Sequence, residues 1–136
     1  MSSSGGDTVS VRPAGRPSWV LLLQRGSGDV LYEAAAMTAA AVSLGLSVTI
    51  VWFDGAFNAL TAGELDSESG EPGTAAAAGR LLAEARSTGH VRYLACSASL
   101  VGGRTAPSSA RERVDDVVGW PTAISLIRAA ERAFVW

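Results

Sequence analysis

The sequence predicts an α/β protein built on one mostly parallel, five-stranded sheet. Two observations carry this prediction. Five short apolar runs alternate with four helix-length connections from residue 18 onward, and the longer connections end at glycines such as Gly45 and Gly89. The runs are rich in Val, Ile, Leu and Trp, as strands buried on both faces are. Because parallel strands need long crossovers, we expect helices on both faces of the sheet, which is a three-layer sandwich.

The first half predicts two strands around an Ala-rich helix. Trp19–Leu23 is a strand, Gln24–Gly28 is a turn and Val48–Phe53 is the second strand. The helix between them ends at Gly45, and its apolar stripe consists of Leu31, Ala34, Ala35, Thr38, Ala41 and Val42. The uncharged stretch Ala34–Phe53 has the composition of a helix followed by a β-branched strand, which disfavours a membrane span.

The segment after the second strand is irregular before the pattern resumes. Phe57–Leu60 predicts a helical turn, and an acidic, solvated loop follows with Asp66, Glu68 and Glu71. Thr74 is the expected cap of a helix with the inner stripe Ala77, Ala78, Leu81, Leu82 and Ala85. Val91–Ala95 is the third strand, and Cys96 follows it directly.

The last third predicts two more strands and one helix. Residues 97–113 have no clear pattern, Val117–Val118 is a short strand, and Ala133–Trp136 is the fifth. A helix that opens at Pro121 or Thr122 and runs to about Arg132 would bury Ile124, Ile127 and Ala130. Residues 1–17 are rich in Ser, Gly, Pro and Arg and predict a disordered tail, which leaves residues 18–136 as a single domain.

Composition excludes several classes of function. The net charge of −2 disfavours binding to nucleic acid through phosphates. All 11 basic residues are arginines, so Schiff-base chemistry and a P-loop lysine are excluded. The single cysteine cannot form an internal disulfide, and the first residues lack the apolar core of a signal peptide. We therefore expect a cytoplasmic protein without a membrane segment.

Candidate functional residues follow the ends of successive strands. Right-handed crossovers bring these ends to one edge of the sheet, where α/β proteins bind ligands. Gln24, Asp54, Cys96 and Trp120 are expected there. Two of them also have a structural interpretation: Asp54 as a turn cap, and Trp120 as packing at a helix start.

Cys96 is the candidate reactive group. The N-terminus of a following helix would favour its thiolate, and Ser97 or Ser99 would supply hydrogen bonds to the sulfur. His90 stands at the opposite end of the same strand, which disfavours both a Cys–His pair within one subunit and a metal site. The alternative interpretation is that Cys96 fills the core, as free cysteines often do.

Four features in this order resemble the DsrE/DsrF-like family of small α/β proteins, which includes the sulfur-relay subunits of the Tus and Dsr systems. They are an Ala-rich helix leading into Gly45–Phe53, an irregular acidic loop, the strand Tyr93–Cys96 before small residues, and Val118–Thr122 leading a helix to an apolar strand. The resemblance covers roughly residues 18–136. The sequence departs from the family pattern after the cysteine. Family members that carry sulfur tend to have an Arg-Gly pair there, whereas in this chain the glycines precede Arg104.

The resemblance implies a flavodoxin-like, three-layer domain that forms homotrimers or homohexamers. It also implies that Cys96 carries sulfane sulfur as a persulfide, without a cofactor, between a sulfur donor and an acceptor protein. The alternative is a non-catalytic oligomeric module for assembly or small-ligand binding, with a buried structural cysteine. Self-association is also expected from the residues, since a small core cannot enclose all four tryptophans, Trp19, Trp52, Trp120 and Trp136.

Overall fold

The computed structural model describes residues 16–66, 73–102 and 107–136. Five parallel strands form one sheet in the spatial order β4-β3-β2-β1-β5. They are β1 (Ser18–Leu23), β2 (Ser47–Trp52), β3 (Val91–Cys96), β4 (Asp116–Val118) and β5 (Arg132–Val135). The predicted α/β class with a five-stranded parallel sheet is therefore confirmed, and the architecture is that of a three-layer, flavodoxin-like fold.

Six helices connect and flank the strands within the described residues. They are α1 (Gly28–Ser43), α2 (Asp54–Thr61), α3 (Thr74–Arg86), α4 (Ser97–Gly102), α5 (Pro107–Arg111) and α6 (Trp120–Ala129). The stretch Ala34–Phe53 is the end of α1 followed by β2, as predicted. In the ranges that the structure describes, no helix is both long enough and apolar enough to cross a membrane.

One face of the sheet, here the α1 face, carries the larger core. Leu21, Ile50, Trp52, Tyr93 and Ala95 alternate onto it from three neighbouring strands and pack under the helices α1, α2 and α3. The buried residues of α1 are those of the predicted stripe. α3 also lies directly against the turn after α2, since a side chain at Gly79 would collide with the Leu65 carbonyl oxygen. Only glycine allows this backbone approach.

The opposite face, here the α6 face, carries a second and smaller core. Its buried members are Val20, Leu22, Val51, Phe53, Leu94 and Cys96. The partly buried residues that pack on them are Val118 of β4 and Leu126, Ile127 and Ala130 in and just after α6. In the described part of the chain, α6 is thus the one helix that supplies cover to this face.

The structure corrects several local predictions. Thr74 does not cap α3: it is the first helical residue, and Gly73 is the N-cap. The buried residues of α3 are Ala76, Ala78, Leu82 and Ala85, while Ala77 and Leu81 are half-buried. The helix therefore begins one residue earlier than a cap at Thr74 would place it.

The prediction for α6 was wrong at both ends of the helix and at Ile124. The helix begins at Trp120 and ends at Ala129, so Arg132 lies in β5, and the helix turns Ala123 rather than Ile124 toward the sheet. Ile127 and Ala130 are half-buried. Successive residues of a helix differ by about 100° in direction, so Ile124 points away from the core and is 51% exposed. Of the predicted tail, residues 1–15 lie outside the described residues, as do Glu68 and Glu71 of the acidic loop and Arg104.

Candidate functional site

The carboxyl edge of the sheet holds every residue predicted for a site, but it does not bring their side chains into one cluster. Cys96 is the last residue of β3, and Gln24 and Asp54 directly follow β1 and β2. Trp120 follows β4 after a single glycine. Contacts at this edge instead join Asp54 to Ser99 and Gln24 to neighbouring backbone. Cys96 and Trp120 share one neighbour, Phe53.

Cys96 is buried in the core of the α6 face. It is 3% exposed and packs with apolar residues. Within the described residues, no hydrogen bond joins Ser97 or Ser99 to its sulfur: Ser97 is exposed, and Ser99 Oγ accepts from the Asp54 N–H. The predicted serine contacts to sulfur are therefore not formed in this conformation. The thiol lies at the expected edge, but beneath its surface.

Asp54 occupies a strained turn. Its φ is 43°, in the left-handed region that residues other than glycine rarely adopt. The backbone N–H of Asp54 donates to Oγ of the buried Ser99 at 3.1 Å, which links the start of α2 to α4. Asparagine and aspartate tolerate this conformation better than most residues, so the strain is modest and the hydrogen bond helps to hold it.

The turns after β1 and β2 are joined through their backbones. The N–H of Ala56 donates to the Gln24 carbonyl at 2.9 Å, and a side chain at Gly26 would collide with the Gly55 carbonyl oxygen. The N–H of Gln24 in turn donates to the Trp136 carbonyl at 2.7 Å. Gln24 thus connects the neighbouring segments through its backbone, and its side chain is exposed.

Trp120 stacks on Phe53 at the rim of the same edge. The ring centroids are 5.2 Å apart and the planes differ by 25°. Phe53 is 4% exposed and belongs to the cluster that contains Cys96, whereas Trp120 is 48% exposed. The sequence analysis identified Trp120 as a candidate but placed Phe53 at the end of a strand. Phe53 could have been found as a second candidate because it is an aromatic residue at the end of a buried apolar run.

A second polar cluster lies on the α1 face, away from these residues. The Arg86 guanidinium carbon stands 4.0 Å from the Tyr93 ring centroid, and Arg86 pairs with Asp115 at 3.0 Å. The other Asp115 oxygen accepts the Tyr93 N–H at 2.8 Å. Burial raises the pKa of the Tyr93 phenol to about 12, against the opposing effect of Arg86. A phenol that stays protonated in this way supports packing and not proton transfer.

The described residues were also compared with the ligand clusters that bind metal ions. His90 precedes β3, at the opposite end of the strand from Cys96, as predicted. Among residues 16–66, 73–102 and 107–136, no group of three or more His, Cys, Asp or Glu side chains stands close enough together to hold a metal ion.

Comparison with known proteins identifies a shared fold but assigns no activity. No protein-family model matches the chain, and no curated protein matches it. Among solved structures, it is similar to MTH1491, a protein of unknown function from Methanobacterium thermoautotrophicum. The TM-score is 0.61 at 17% identity, over 87% of this chain and 96% of that chain. At this identity the likeness shows that the α/β fold is shared.

The two serines after Cys96 provide a matched test of this edge. Ser99→Ala removes the acceptor of the Asp54 N–H, so we expect the free energy of unfolding to fall by about 1 kcal/mol. Ser97→Ala, at an exposed position, should change it by less than about 0.5 kcal/mol. Chemical denaturation of both variants measures the difference. Equal effects would show that the Asp54–Ser99 bond does not stabilise the turn.

Proposed function

We propose that the protein is a non-catalytic, self-associating module in which copies of the chain cover the α6 face and Cys96 is a packed core residue. One observation carries this proposal. Trp120, Ile124 and Val135, here called the apolar patch, are large apolar side chains that are 48%, 51% and 63% exposed on the same side of the sheet.

The position of the patch follows from helical and strand spacing. Trp120 and Ile124 are four residues apart, so they lie on one stripe of α6, next to the stripe that packs on the sheet. Val135 pairs in register with Leu22, whose side chain belongs to the α6 face, and therefore points to the same side. All three side chains thus lie on the α6 side of the sheet, outside the smaller core.

A second copy of the chain is the occupant that best fits this surface. β5 lies at the edge of the sheet, where the free backbone groups of an edge strand favour pairing with another strand. Only 18% of the chain is charged, so few groups oppose such burial. The resemblance to the DsrE/DsrF-like family supports a closed trimer or hexamer.

Light scattering after size exclusion tests the assembly. We expect a molar mass that is a multiple of the 13.9 kDa chain, and we expect Ile124→Glu to shift it toward one chain by placing a charge in the contact. Leu44→Glu is the matched control, because Leu44 is 80% exposed after α1 and outside the patch. A wild-type protein of one-chain mass at micromolar concentration contradicts the proposal. So does equal dissociation of both variants.

Persulfide relay through Cys96 is the second candidate function. The observation that favours it is that Cys96 ends β3 at the carboxyl edge and is followed at once by the exposed Ser97 and α4. In this chemistry the Cys96 thiolate attacks the outer sulfur of a donor persulfide. The sulfur–sulfur bond of the donor breaks, the donor leaves as a thiolate, and Cys96 holds the transferred sulfur for an acceptor thiol. No cofactor takes part.

Intact mass measurement distinguishes the two functions. A relay predicts that incubation with a persulfide donor adds about 32 Da, one sulfur atom, to the folded protein, and that Cys96→Ser abolishes the adduct. A packed core cysteine predicts no adduct unless the protein is unfolded. An adduct that persists in Cys96→Ser rules out this role for Cys96.

A further inference from the structure

We propose that the stacked pair Phe53–Trp120 is a lid that controls access to the Cys96 thiol from the carboxyl edge, so that the thiol is exposed by local opening of this lid and not by unfolding of the domain. Such a lid would protect the thiol in the folded protein whether Cys96 is a packed core residue or a sulfur carrier.

The lid follows from the path of the chain above Cys96. Cys96 pairs in register with Val118, and the chain then continues through Gly119 to Trp120, whose ring stacks on Phe53. Phe53 itself lies in the cluster that encloses Cys96. Exposure rises along this series, from 3% at Cys96 to 4% at Phe53 and 48% at Trp120. The ring of Trp120 therefore lies on the solvent side of the aromatic pair, and Phe53 lies on the side of the thiol cluster.

The loop that carries Trp120 also lies close to the residue after the cysteine. A side chain at Gly119 would come within 3.9 Å of Ser97 Oγ. Gly119 has a φ of −97° and is the N-cap of α6, without a side chain to cap the helix. The β4–α6 junction thus lies beside the end of β3, and the Trp120 ring that it carries stacks on Phe53, the residue after β2.

The first turn of α6 is held by few contacts. Ala123 is its one fully buried residue. Trp120 has about half of its surface in contact with water. Helix ends with little buried area open at a lower free energy than the domain unfolds, so this turn can move while the sheet stays intact. Opening would unstack Trp120 and leave Phe53 as the last cover of the cluster.

Thiol reactivity in native buffer tests the lid. With dithionitrobenzoate in excess, the Cys96 thiolate attacks the reagent disulfide, a mixed disulfide forms, and coloured thionitrobenzoate is released, so the rate reports exposure. We expect Trp120→Ala to raise this rate about tenfold, which corresponds to the loss of about 1.4 kcal/mol from the aromatic pair and its burial. Trp120→Phe keeps a stacked ring and should stay within about twofold of wild type.

Two further measurements separate the lid from other routes of exposure. Trp120→Ala should raise the rate by the same factor when it is added to Ile124→Glu, which disrupts the proposed association surface; a rise that is lost in that background would assign protection to the assembly and overturn the lid. The rate at low denaturant should be nearly constant, as local opening exposes little surface. A rate that rises as steeply as the unfolding equilibrium, or one that Trp120→Ala does not change, also overturns it. Neither result depends on the molar mass that tests self-association.

Discussion

A buried parallel sheet must be covered on both faces, and this chain covers its two faces unequally. α1 and α3, with 16 and 13 residues, pack side by side on one face, while the 10-residue α6 lies on the other. The larger core is therefore covered by two long helices of the same chain, with Trp19, Phe134 and Trp136 partly buried against it. The smaller core, which contains Cys96, ends in side chains that are half exposed, and this asymmetry connects the fold with the proposed self-association.

The same asymmetry determines the surroundings of the Cys96 thiol. Its position at the carboxyl edge is the one where α/β proteins place reactive groups, but its side chain points into the smaller core and not into the edge. The polar residues of the edge stabilise backbone: Ser99 holds the strained turn at Asp54, and Gln24 bonds to neighbouring segments. Access to the thiol then depends on the aromatic residues above it, which makes Phe53 and Trp120 as important to its chemistry as any neighbouring polar group.

Sequence periodicity predicted the sheet and the stripe of α1 because both depend on local spacing of apolar residues. It predicted the positions of Asp54 and Cys96 at the edge because topology places strand ends there. It misplaced Ile124, since the start of α6 at Trp120 depends on packing against Phe53, which is far away in the sequence. The hydrogen bond between Asp54 and Ser99 joins residues 45 positions apart, and no local pattern signals such a contact.

We propose that copies of the chain associate through the α6 face. Hydrogen–deuterium exchange of the wild-type protein across a dilution series tests this association, because it reports which amides an assembly protects without any substitution. We expect amides of α6 and β5 to exchange more slowly at high protein concentration, while those of α1 do not change. Exchange that is independent of concentration in α6, or concentration-dependent protection confined to α1 and α3, would contradict it.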